Sequence, residues 1–86
     1  MEVRTMTDEI IREAISLLTQ IKEDRFAPRN VRNMAEEAIN ILKEDGDLDI
    51  NIDKVIQMLD EISNDPNIDM AIRTMIWNVV SVLESR

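Results

Sequence analysis

Apolar residues recur at intervals of three and four along four stretches of the chain, the spacing that gathers side chains on one face of an α-helix. The first stretch, 8–23, carries Ile10, Ile11, Ala14, Ile15, Leu18 and Ile21. Thr7 stands where an N-cap hydroxyl would sit, and Asp8 and Glu9 bring negative charge to the positive helix start. The second, 28–44, carries Val31, Ala35, Ala38, Ile39 and Leu42, with Pro28 in the first turn and Gly46 past the end as a left-handed cap. The third, 52–64, opens at Asn51 as its cap, carries Ile52, Val55, Ile56, Leu59 and Ile62, and is stopped by Pro66. The fourth, 70–84, is capped by Asp69. The connections at 24–27 and 65–68 are short, and short links between helices make antiparallel neighbours.

Sliding the chain against itself by 41 residues lays 15–45 over 56–86 without a gap. Ile15 meets Ile56, Leu18 meets Leu59, Ile21 meets Ile62, Asp24 meets Asp65, Arg32 meets Arg73, Met34 meets Met75 and Leu42 meets Leu83. Because the turn residues match along with the helical period, we expect two pseudo-repeated αα-hairpins, about 10–45 and 51–86, joined by 46–50. A two-helix period near 40 resembles HEAT-type repeats, and Pro28-x-x-Val31-Arg32-x-x-Ala35-x-x-Ala38-Ile39-x-x-Leu42 resembles the second helix of that repeat. Asp24 and Arg32 are, however, about two residues further apart than that pattern has them. Two units are too few for a solenoid, so the apolar faces must close on each other or be covered by a second chain. The expected fold is all-α: a single domain over 1–86, folded as a four-helix up-and-down bundle.

Three segments carry a closer resemblance: Glu61-Ile62-Ser63-Asn64-Asp65-Pro66-Asn67-Ile68, then Arg73-Thr74-Met75-Ile76-Trp77-Asn78, continued by Val79-Val80-Ser81-Val82-Leu83-Glu84. Through them the whole chain resembles a family of short, acidic, uncharacterised archaeal proteins. That resemblance implies a four-helix fold and brings no assigned activity.

Composition narrows the chemistry. With 86 residues, no Cys and no His, the chain has no disulfide and no thiolate or imidazole for a structural zinc site, so packing must hold it. Ten basic against eighteen acidic residues give a net charge of −8, which disfavours nucleic acid as a partner. No apolar run is long enough to span a membrane, and the first eleven residues lack the apolar core of a signal peptide, so we expect a cytoplasmic protein. An enzyme is not expected. His, Cys and Tyr are all absent, and adjacent pairs such as Glu36 with Glu37, or Asp60 with Glu61, do not share one helix face. Without His, a di-iron site of the Glu-x-x-His kind is closed, and no cofactor is expected.

Five sites invite attention. Ten of the fourteen residues over 70–83 are Ala, Val, Ile, Leu, Met or Trp, a composition that suits a helix buried on most sides. Yet Trp77 aligns with Glu36, a polar-face position. Met70, Arg73, Thr74, Trp77 and Val80 therefore form a candidate partner-binding patch for a homodimer or another protein, the other reading being that Trp77 caps the core. Asp24 with Arg32, and Asp65 with Arg73, are expected as turn-to-helix ion pairs, with a paired ligand site as the alternative. Lys22, Arg25, Arg29 and Arg32 form a basic cluster at the first turn, with Phe26 as its one aromatic. This cluster is the alternative, phosphate-contacting site of a nucleic-acid accessory protein, through Arg25, Arg29 and Arg32. Asp45-Gly46-Asp47-Leu48-Asp49-Ile50-Asn51 resembles a calcium loop but has Ile50 where glycine is required and Ile56 where a bidentate Glu is required, so it reads as a solvated linker.

Overall fold

The four stretches form four helices, and the structure shifts the start of two of them. In a computed structural model that describes residues 2–85, with side chains described from residue 7, the helices are α1 (Glu2–Lys22), α2 (Arg29–Lys43), α3 (Leu48–Ser63) and α4 (Met70–Glu84). No strand occurs among the described residues.

The caps explain the boundaries. Asp69 caps α4 as its sequence predicts, its Oδ1 accepting from the Ile72 amide at 2.9 Å. For α3 the cap is Asp47 rather than Asn51: Asp47 Oδ1 accepts from the amides of Asp49 at 3.0 Å and Ile50 at 3.3 Å. Asn51 is thereby carried inside the helix and buried, 7% exposed, with Nδ2 unpartnered. At α1 the helix continues through Thr7 back to Glu2, because Val3, Met6 and Ile10 keep the three-to-four spacing along the chain and nothing breaks it. Pro28 sits at the N-cap of α2, one residue before the helical turn, and offers no side-chain cap. Gly46 does not cap α2. The helix ends at an extended Glu44, and Gly46 lies two residues on with φ 118°, a positive value that favours glycine, in the turn into α3.

Consecutive helices pack side by side, and α1 packs against α4, so the four close into a ring; the diagonal pairs do not approach as closely. This is the four-helix bundle expected from two hairpins too few for a solenoid, with the halves related by the 41-residue offset closed on each other. Its principal extents are 42 × 20 × 19 Å. One core runs through it. Leu18, Ile21, Val31 and Leu42 from the first hairpin meet Ile52, Leu59, Ile72, Ile76 and Leu83 from the second, all at or near zero exposure.

The two hairpins bury largely the same register, though Ile21, Met34 and Ile39 are buried where Ile62, Met75 and Val80 are half-buried. Ala14, Leu18, Ala27, Val31, Ala35, Ala38 and Leu42 are buried, and so are their equivalents Val55, Leu59, Ile68, Ile72, Ile76, Val79 and Leu83. The sizes differ. Four alanines on the first side stand where the second side has Val55, Ile68, Ile76 and Val79. Small side chains on one hairpin leave room for large ones on the other within a shared core.

Candidate functional site

Because α4 is a corner of the ring, it can bury only the side facing inward. Ile72, Ile76, Val79 and Leu83 take that side. The remaining apolar residues have no second layer to enter, so the expectation that α4 is buried on most sides does not hold. Trp77 is 49% exposed and Met70 63% exposed, with Thr74 exposed between them on the outer face. Val80 is half-buried against the core, and Arg73 is half-buried at the edge of the patch. Trp77 is therefore not a core cap. Glu36, its equivalent on α2, is exposed as well. Between Asp69 and Glu84 the helix carries no carboxylate, and Arg73 is its one charged residue.

The two turns at the other candidate site share a backbone. In the first, Asp24 Oδ1 accepts from the Phe26 amide at 2.8 Å, and the Ala27 amide donates to the Asp24 carbonyl at 3.3 Å. In the second, Asp65 Oδ1 accepts from the Asn67 amide at 2.9 Å, and the Ile68 amide donates to the Asp65 carbonyl at 3.2 Å. A weak bond of 3.4 Å from Asn30 Nδ2 to Asp65 Oδ2 joins the start of α2 to the second turn.

The arginines that follow these turns behave differently, and neither makes the expected ion pair. Arg73 Nε donates to the Ser63 carbonyl at 2.9 Å and its Nη2 donates to the Asp65 carbonyl at 2.8 Å. The Ser63 carbonyl belongs to the last residue of α3 and the Asp65 carbonyl to the turn, where it also accepts from the Ile68 amide, so the guanidinium ties the hairpin through the main chain. Arg32 Nε is buried with no partner. Arg32 instead lines a pocket of about 280 Å³ with Lys22, Arg29, Asn33 and Glu36. Arg25 is exposed in the turn itself, and Phe26 beside it is 88% exposed. Of the sequence-predicted residues, the structure thus brings Arg29 and Arg32 into one pocket with Lys22. Phe26, the one aromatic of the cluster, stands outward as does its polar equivalent Asn67 in the second turn.

In the loop resembling a calcium site, the Asp47 carboxylate is occupied by capping α3. Among the described residues, no group of three or more acidic side chains comes together so as to hold a metal ion. Glu36, Glu37, Asp60 and Glu61 are all exposed, as expected of solvated charge. No described helix is long and apolar enough to cross a membrane.

Comparison with known proteins agrees with the fold. A protein from Methanothermobacter thermautotrophicus, named UPF0147 protein, is 44% identical over 81 residues, covering 93% of this chain and 79% of its own length. A crystal structure of a protein from the uncharacterized family UPF0147 from Thermoplasma acidophilum superposes with a TM-score of 0.90 at 32% identity, covering 94% of this chain and 96% of that one. A second crystal structure, of a protein of unknown function, superposes with a TM-score of 0.85 at 40% identity, over 92% and 91% of the two chains. The four-helix architecture and the resemblance to an uncharacterised archaeal family thus hold together. With residues 1–85 matching its family model, this chain belongs to the uncharacterised protein family UPF0147.

Proposed function

We propose that the protein is a non-catalytic interaction subunit that self-associates through the outer face of α4. The observation that carries this reading is Trp77, half exposed at a position where the equivalent residue of the first hairpin is a glutamate. The fold does not require an indole there, and large aromatics on a surface free of carboxylates mark interface cores. A second copy is the partner best matched to this face. Chains carrying −8 each repel, but α4 lets two of them approach with no carboxylate between Asp69 and Glu84. Trp77 is also the midpoint of the fifteen-residue helix. A two-fold axis crossing α4 there sets Trp77 against its own copy, Thr74 beside Val80 and Arg73 beside Ser81, which is the self-complementary arrangement of an isologous dimer.

A stable contact needs roughly 600 Å² from each copy, about a tenth of the 5733 Å² accessible surface. Sedimentation equilibrium tests the reading. The wild-type chain is expected to sediment as a dimer and Trp77→Glu, which installs the residue α2 already carries at that position, as a folded monomer. A wild-type chain that stays monomeric at the highest concentration reached removes this proposal.

A further inference from the structure

We propose that the first turn is a second and separate site, which binds single-stranded nucleic acid: a phosphate seated in the Lys22–Arg29–Arg32 pocket and a base stacked on Phe26. The second turn serves as an internal control. Its main-chain hydrogen bonds repeat those of the first, yet it carries Pro66 and Asn67 where the first carries Arg25 and Phe26. The turn therefore folds without an aromatic. Phe26, with 88% of its surface in water, gives the core almost nothing, while its backbone is fixed by the Asp24 carboxylate. A ring held out from a rigid turn is a stacking platform that loses little entropy on binding.

The charge around it is equally specific to this turn. Four of the ten basic residues of an acidic chain, Lys22, Arg25, Arg29 and Arg32, fall within one short segment. Three of them line the same pocket, against a single carboxylate, Glu36. Three positive charges less one negative leave the pocket lining at a formal +2, with Glu23 and Asp24 following Lys22 in the turn outside it. Arg73 spends its guanidinium on the carbonyls of its own hairpin, whereas Arg32 has an unpartnered Nε and a place in the pocket wall. Guanidinium groups suit phosphate because their donors are planar and forked. A single strand fits better than a duplex, whose bases are already stacked on each other. It also fits better than a membrane, since one phenyl ring inserts little apolar area. The overall charge of −8 keeps the binding weak and sensitive to salt.

The test is fluorescence anisotropy of a labelled uridine homo-oligomer titrated with the full chain. Binding is expected at low salt with Kd of about 10–100 µM, within the range of non-specific nucleic-acid binding, and it should weaken steeply as salt is raised. Phe26→Ala is expected to weaken binding about tenfold with the salt slope unchanged, as loss of stacking does. Arg29→Gln is expected to lower the slope by roughly one counterion. Asn67→Ala at the equivalent place in the second turn, and Trp77→Glu on α4, are expected to leave binding as it was. The proposal is overturned by no binding at low salt, by Phe26→Ala binding like wild type, by a duplex binding as well as the single strand, or by anionic vesicles capturing the chain with the same dependence on Phe26.

Discussion

The two hairpins bury most of the same positions and carry different residues at the positions they expose. Leu18 and Leu59, Val31 and Ile72, and Leu42 and Leu83 occupy matching places in one core, and the turns at Asp24 and Asp65 close with the same hydrogen bonds. On the surface the correspondence fails: Phe26 stands against Asn67, Glu36 against Trp77 and Asn30 against Ala71. What the halves share is what the ring needs in order to fold. What they do not share is free of that demand, and there the search for function is best directed.

The core gives the largest test of this comparison. Ile76→Ala removes a fully buried side chain and is expected to lower unfolding free energy by about 2–5 kcal/mol in urea denaturation. Ala35→Ile, at the equivalent position, is expected to cost about 1–3 kcal/mol by overpacking. If the halves exchange volume across one core, the double variant loses less than the sum of the two, by about 0.5–3 kcal/mol. Strict additivity would show that each hairpin fills its own space.

The arginines come next. Arg73→Met breaks two hydrogen bonds from a charged donor and is expected to destabilise by about 1.5–3 kcal/mol. Arg32→Met removes a group whose Nε has no partner and is expected to change stability by less than about 0.5 kcal/mol. Similar losses at both sites would mean the hairpins are tied in the same way after all. A smaller difference lies in the caps: Asp69→Ala is expected to cost about 1 kcal/mol, a loss with no counterpart at Pro28, whose side chain caps nothing. The smallest effect is expected from Trp77→Glu on the stability of the isolated monomer, within about 0.5 kcal/mol by thermal denaturation of a dilute sample.

The helices and their core were legible in the sequence because burying one face of a helix imposes a three-to-four period, and the closed arrangement followed from there being only two hairpins. The helix starts were less legible. Thr7 and Asn51 are both good capping residues, but a cap acts only where the helix stops, and α3 began earlier at Asp47, an equally good cap with an aspartate behind it. The outward direction of Trp77 was readable from its alignment with Glu36. The part played by Arg73 was not, because its bonds go to carbonyls of residues eight and ten positions back, which only the folded turn brings within reach. The exposure of Phe26 was readable in the same way as that of Trp77, from its alignment with the polar Asn67 in the second turn.

Because the helices close into a ring, α4 finishes where α1 passes: Ser85 lies with Glu9, Ile10 and Glu13 around one cavity, at the same end of the bundle as the exposed connection through Gly46. A flexible linker could therefore carry the chain from Ser85 to the start of α1 while the backbone is opened between Asp45 and Gly46, giving a permutant that reads α3, α4, α1, α2. Such a rearranged polypeptide keeps every interior neighbour and is expected to fold to the same ring, whichever hairpin is made first.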